Sequence, residues 1–129
     1  MAVARVELCW EVPQEDQRAI IEAVADALVS ALEVPAGDPT VIGITRAARD
    51  VVRPVKVSGR YTIVTVTMFA GRTLATRRRL YRAIVERLTA QGVPPHDVLI
   101  ILHEVPAENW GVDGGVPASE VDVAFRIDV

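Results

Sequence analysis

The sequence has few of the residues that disulfides and metal sites require. Cys9 is the only cysteine, which excludes an internal disulfide and a cysteine-based metal site. The two histidines, His96 and His103, do not follow a metal-ligand spacing. We therefore expect neither a disulfide nor a metal site.

Long apolar runs and a surplus of positive charge are also missing. No stretch reaches the roughly 18 apolar residues of a membrane span. The N-terminus lacks a basic region followed by an apolar run, so no signal peptide is predicted. The formal net charge is −3, and Lys56 is the only lysine. These features argue against a nucleic-acid or membrane-surface binder and favour a cytoplasmic protein.

Apolar residues, by contrast, are plentiful enough for a packed core. They make up 50% of the 129 residues, and charged residues make up 24%. This length suits one domain and is too short for two, so we treat residues 1–129 as a single domain.

The first part of the chain predicts a strand, a helix and a second strand. Valine-rich alternation from Ala2 to Trp10 indicates a strand. Proline and acids in 13–16 begin a helix with one apolar stripe, and the segment 34–38, Val-Pro-Ala-Gly-Asp, ends it. Residues 40–45 form the second predicted strand.

The same order of elements then returns. Residues 61–69 are strongly β-prone, Thr73 can cap a helix, and the segment 93–97, Val-Pro-Pro-His-Asp, ends that helix before a strand at 98–102. The two Val-Pro-x-x-Asp segments lie 93 − 34 = 59 residues apart. This offset indicates an internal repeat, with repeat 1 at about 2–45, a connecting segment at 46–60, and repeat 2 with a C-terminal hairpin at 61–129. Alternation at 121–127 predicts a further edge strand.

A duplicated β-α-β unit determines the expected architecture. Parallel strands joined by a crossover helix in each unit predict an α+β fold: a four-stranded sheet with both helices on one face. Valine and isoleucine on the other face make oligomer formation a reasonable expectation.

The second unit carries motifs that resemble the tautomerase superfamily. Gly71-Arg72-Thr73 stands at the start of the helix, an Ile-Ile strand ends in Glu104, and 109–115, Asn-Trp-Gly-Val-Asp-Gly-Gly, leads to Ala118-Ser119. These parts are similar to 4-oxalocrotonate tautomerase, with one extra residue in the hairpin. The first unit is similar to the opening of the double-length members, such as malonate semialdehyde decarboxylase and cis-3-chloroacrylic acid dehalogenase. The resemblance implies a tautomerase/MIF-like fold, usually a homotrimer, with no cofactor.

The resemblance also implies chemistry at the head of the first strand. The superfamily uses an N-terminal proline as general base or acid toward a keto-enol substrate, and arginines hold the carboxylate of that small molecule. This chain has Ala2 there. Because methionine before alanine is normally removed, we expect Ala2 to offer a primary amine, whose ordinary pKa of about 7.7–8.0 suits proton transfer. If Met1 stays, Ala2 has only an amide.

Three further positions carry roles that the resemblance implies. Arg72 matches the arginine that grips a substrate carboxylate, and Trp110 matches the aromatic wall of the pocket. Asp38 aligns with an aspartate that activates water in the decarboxylase-like members, although Asp97 occupies the same place in the second unit. Each position also has an alternative interpretation. For Arg72 it is a solvent-exposed arginine in the turn that enters the helix, for Asp38 a turn residue, and for Trp110 a subunit contact.

Arginines in the connecting segment form a second candidate group. Arg46, Arg53 and Arg60 are predicted to bind substrate at the mouth of an anion site, or else they are solvated. The run at 77–79 falls on the polar face of a helix and does not predict nucleic-acid binding.

Two functions follow as hypotheses. The first is an isomerase or tautomerase, or a related decarboxylase or hydratase, acting on a small 2-oxo or enol carboxylate through the N-terminal amine. The second is a catalytically silent or repurposed trimer that binds a small anionic metabolite or a protein partner, because the proline is missing.

Overall fold

The computed structural model describes residues 1–122 and contains two long helices and six strands. The main strands are β1 (Ala2–Leu8), β2 (Thr40–Thr45), β3 (Thr62–Phe69) and β4 (Val98–Val105). The helices are α1 (Gln14–Leu32) and α2 (Leu74–Ala90), and a hairpin is formed by β5 (Gly111–Val112) and β6 (Val116–Pro117). The edge strand predicted at 121–127 lies almost wholly outside the described residues.

The four main strands form one mixed sheet in the order β2-β1-β3-β4. Strand β1 pairs in parallel with β2, and β3 pairs in parallel with β4, as a crossover helix in each unit requires. The two units meet through the antiparallel pair of β1 and β3, in which Ala2 faces Met68 and Leu8 faces Thr62. The predicted fold class, a duplicated β-α-β unit with a four-stranded sheet, is confirmed.

Alternation along the strands sends every second side chain toward the helices. Ala4, Val6, Val64 and Val66 are fully buried on that face, where they meet Ile20, Val24 and Leu28 of α1 and Leu80, Ile84 and Leu88 of α2. Helix α2 begins as predicted, with the Thr73 hydroxyl accepting a hydrogen bond from the Thr76 amide. Both helices therefore cover the same face of the sheet.

The other sheet face is open and partly apolar. Ile42, Leu99 and Ile101 are each about 41–42% exposed on strands β2 and β4. An exposed apolar surface of this kind is typical of a site that contacts another molecule. Within residues 1–122, neither helix has the length and apolar character needed to cross a membrane.

Strand direction gives the sheet two chemically different ends. At one end lie the start of β1, the start of β2 and the end of β3; we call it the amine end, after the N-terminal amine of Met1. At the other lie the end of β1 and the start of β3; we call it the Trp10 end. The six residue steps of β1 separate the ends by roughly 20 Å.

Candidate active site at the amine end

The α-amino group of the chain lies beside a carboxylate at the amine end. Val3 faces Thr40 across the parallel β1–β2 pair, so the residues before each strand are also neighbours. The amine nitrogen of Met1 is 3.5 Å from Oδ2 of Asp38, whose side chain is 22% exposed. The strand register thus joins the head of the chain to Asp38.

The environment lowers the pKa of this amine below its ordinary value. Burial is the largest cause, because it disfavours the charged form. Asp38 opposes this effect, because its negative charge attracts the ammonium and raises the pKa, and the positive charge of Arg72 adds to the lowering. A lowered pKa leaves more of the amine neutral near pH 7, as a general base requires.

Arg72 lies in the turn that connects β3 to α2, and only 4% of it is exposed. Its Nη1 donates a 2.7 Å hydrogen bond to the carbonyl of Leu32 at the end of α1. A guanidinium has five N–H donors, so it can bind more than one acceptor at once. Arg72 therefore brings a buried positive charge close to the N-terminal amine.

A second arginine at this end was not recognised as a site residue in the sequence. Nη2 of Arg77 donates a 3.1 Å bond to the Arg72 carbonyl, and Nε of Arg77 lies 3.1 Å from Oε1 of Glu104. Sequence reasoning assigned Arg77 to a solvated helix face. Its position in the first turn of α2, five residues after Arg72, was the available signal.

Trp110 lies at the end of β4, on the hairpin side of the amine end. Its indole Nε1 donates a 3.0 Å hydrogen bond to the Val105 carbonyl, and its ring meets Phe69 edge to face, with centroids 5.2 Å apart. Both contacts hold the indole in one orientation. The structure thus gathers Ala2, Asp38, Arg72 and Trp110 around the same end of the sheet.

The arginines of the connecting segment lie at the opposite end. Arg46 is paired with Glu7 at 3.1 Å, and Arg53 donates to the carbonyls of Cys9 and Ser58. Arg60 donates to the Gly92 carbonyl and lies 4.9 Å above the Trp10 ring. Within one subunit the sequence-predicted binding arginines are therefore separated from Ala2 by the length of the sheet.

The two aspartates that the repeat relates have different surroundings. Asp97 is fully buried and accepts hydrogen bonds from the Ser58 amide at 2.6 Å, the Ser58 hydroxyl and the Arg60 amide at 3.2 Å. Burial alone raises its pKa, but these bonds outweigh burial and leave the pKa below its usual value. The Asp97 carboxylate therefore holds the segment of Ser58 and Arg60 in place, whereas the Asp38 carboxylate faces the Met1 amine.

The described residues do not form a metal-binding site. In 1–122, no three histidine, cysteine, aspartate or glutamate side chains lie close enough together to hold a metal ion. The acid–base groups of the amine end include the α-amine of Met1, Asp38, and Glu104, which is paired with Arg77.

Known proteins share both the sequence and the fold of this chain. Residues 44–113 match the sequence profile of a family described as tautomerase enzyme. A probable tautomerase of Ralstonia nicotianae is 38% identical over 58 residues, which are 44% of this chain and 81% of that protein. The profile includes Arg72 and Trp110, while Ala2 and Asp38 lie outside it.

Solved structures extend the likeness to the first unit. FG41 malonate semialdehyde decarboxylase inhibited by 3-bromopropiolate has a TM-score of 0.80 and 33% identity over 91% of this chain and 92% of that one. A fused 4-OT, solved as a symmetric trimer, has a TM-score of 0.82 and 26% identity over 91% of this chain and 96% of that one. The chain belongs to the tautomerase superfamily.

Proposed function

We propose that the protein catalyses proton transfer on a small 2-oxo or enol carboxylate, as an isomerase of the tautomerase type. The observation that carries the proposal is that the head of the chain, Asp38 and buried Arg72 meet at one end of the sheet, where burial lowers the pKa of the Met1 amine. These groups supply a base, a carboxylate and a cation for the substrate. Trp110 would wall the same site.

In the proposed step the amine accepts one proton from the substrate and then returns a proton to another atom of the substrate. The neutral α-amine, which is that of Ala2 once Met1 is removed, takes the hydroxyl proton of the enol. The resulting ammonium returns a proton to the carbon, and the carbonyl forms. Arg72 holds the substrate carboxylate and so orients the reacting carbon. Asp38 stabilises the ammonium, and it could activate water in a decarboxylase or hydratase variant of the reaction.

The experiment combines intact mass with turnover. Untagged protein is expected to have lost Met1 and to ketonise phenylenolpyruvate or 2-hydroxymuconate faster than buffer does. Arg72→Gln is expected to lower kcat/KM by about a hundredfold or more, since it removes a buried charge from a carboxylate contact. Arg49→Gln is the matched control, because Arg49 is exposed in the connecting segment. Retained Met1 together with no rate above buffer contradicts the proposal.

A second candidate is a repurposed member that binds a small anionic metabolite or a protein without turnover. Ala2 in place of the superfamily's proline favours it. The test is Ala2→Pro in protein whose methionine has been removed. Tautomerase activity that arises only in this variant supports the silent role, whereas equal activity before and after the change supports the enzyme.

We also propose that the chain works as a homotrimer. The exposed Ile42, Leu99 and Ile101 give the sheet face an apolar surface that copies could cover, and the similar fused 4-OT is a trimer. Sedimentation equilibrium should give three times the mass of one chain. Ile101→Lys is expected to shift the mass toward a single chain, and Ile101→Val is the control. A monomeric mass for the unchanged protein overturns this assembly.

A further inference from the structure

A cavity formed by the described residues lies at the Trp10 end, away from the proposed active site. It measures about 580 Å³ and opens between the end of β1, the end of β2 and the start of α1. Its lining consists of Trp10, Glu11, Val12, Pro13, Thr45, Arg46 and Ala47. This volume falls in the range of small-molecule pockets.

The internal repeat explains why a cavity lies at this end. The 59-residue offset places Trp10 where Phe69 stands at the amine end, and Arg60 where Met1 stands. Each end is therefore built from equivalent pieces of backbone. At the Trp10 end, however, residue 60 is joined to residue 59, so it has a peptide N–H that donates to Asp97 in place of an amine. The Trp10 end therefore has a cavity but no amine that could act as a base.

Arg46 supplies the cavity with a positive charge that a ligand can reach. Arg46 forms an ion pair with Glu7, and the two side chains are 48% and 31% exposed, respectively. An ion pair as exposed as this contributes little to stability, so a ligand carboxylate can replace Glu7 at small cost. A guanidinium is also the side chain best suited to bind a carboxylate with two hydrogen bonds.

The rest of the lining determines what else the ligand carries. Glu11 balances the charge of Arg46, which disfavours ligands with several negative charges. Trp10 offers an aromatic wall, and its orientation is fixed by the bond from Nε1 to the Thr62 hydroxyl at 3.3 Å and by Arg60 above the ring. Val12 and Pro13 add apolar surface. One carboxylate on a flat apolar body fits this lining.

We infer that the Trp10 end is a second, non-catalytic binding site for small aromatic or unsaturated monocarboxylates. Arg46 holds the carboxylate, and Trp10 packs against the body of the ligand. The inference goes beyond the proposed function and does not depend on it, because the two sites share no side chain.

The two tryptophans allow each end to be measured separately. Trp10 and Trp110 are the only ones in the chain, and they lie at opposite ends. In Trp110→Phe, fluorescence reports on the Trp10 end alone, and in Trp10→Phe it reports on the amine end alone. The probe is phenylacetate, which does not tautomerise, and phenylacetamide is its neutral control. If the proposed function is wrong, no turnover is seen, but the fluorescence change of Trp110→Phe at the Trp10 end is unaffected.

In Trp110→Phe, phenylacetate is expected to change the fluorescence saturably at millimolar concentration. Phenylacetamide and the added substitution Arg46→Gln should each weaken binding about tenfold or more. Arg49→Gln removes the same charge from the same segment, outside the cavity lining, and should leave binding unchanged. The inference is overturned if no saturable change is seen, as when a second copy covers the cavity, or if both arginine variants bind alike.

Discussion

Asp97→Asn is expected to destabilise the protein far more than the related change Asp38→Asn. Three donors point at the fully buried Asp97 carboxylate: two backbone amides and the Ser58 hydroxyl. An asparagine has only one oxygen, so at least one donor loses its acceptor and the others lose the negative charge. Hydrogen bonds to charged groups contribute about 1.5–3 kcal/mol each and neutral ones about 0.5–1.5. The expected loss is therefore about 2–4 kcal/mol.

Asp38 offers the matched control for this substitution. The Asp38 carboxylate lies 3.5 Å from the Met1 amine, and its side chain is partly exposed. Its replacement is expected to cost less than about 1 kcal/mol. The assay is urea unfolding of both variants at one fixed protein concentration, since the apparent stability of an oligomer depends on concentration. Equal losses in the two variants would refute the reasoning.

Acid unfolding tests the same carboxylate in a second way. The pKa of Asp97 is lowered in the folded state, so its contribution is fully present above the unfolded value of about 3.9. That contribution is lost as the pH falls through the lower folded value. Between about pH 5 and 2, the unchanged protein should therefore lose more stability than Asp97→Asn does. Parallel curves for the two proteins would show that Asp97 is not the cause.

In protein that retains Met1, acylation of the α-amine against pH should show a pKa below the ordinary range of about 7.7–8.0, because burial lowers the pKa of the Met1 amine. Asp38→Asn should lower that pKa further, since Asp38 raises it; an upward shift contradicts the assignment. Gly43→Ala should cost about 1–3 kcal/mol in urea unfolding, because the added carbon would lie 2.8 Å from Cγ2 of Ile21. Gly59→Ala, with nothing within 4 Å, is its control, and equal losses would refute the packing argument. Trp110→Phe removes the indole N–H and its hydrogen bond but keeps an aromatic ring at this position. A thermal melt should show a loss of about 1 kcal/mol in stability, and an unchanged melt would count against that bond.

Sequence reasoning recovered the fold because periodicity and helix ends are local signals. The Thr73 cap and the alternation of β1 and β3 each depend on a few neighbouring residues, and the repeat offset needs only two short local segments, at 34–38 and 93–97. Strand β4 extends to Val105, beyond the predicted 98–102, because its later residues pair with β3. Pairing partners of this kind are distant in the chain, and a local pattern does not contain them.

The site was harder to predict, because it depends on which ends of the strands meet. Motif positions identified four of the site residues, and the structure places all four at the same end of the sheet: Ala2, Asp38, Arg72 and Trp110. Arg46 was grouped with them because of its charge alone. A parallel pair of β1 and β2 already implies that the residue after Thr45 lies away from Ala2. The orientation of Arg77, in contrast, follows from packing against β4 and could not have been read from the sequence.

The antiparallel contact between β1 and β3 has a consequence for how such a chain can evolve. It relates two halves that have the same order of main strands and helices, and one difference between these halves is that the first carries the free α-amine of Met1. A circular permutant opened before Tyr61 would carry its new amine next to Asp97, and Ala2 would become an ordinary interior residue. The location of a reactive amine in this architecture is then a property of chain connectivity, and it can move without any change in the packing of the core.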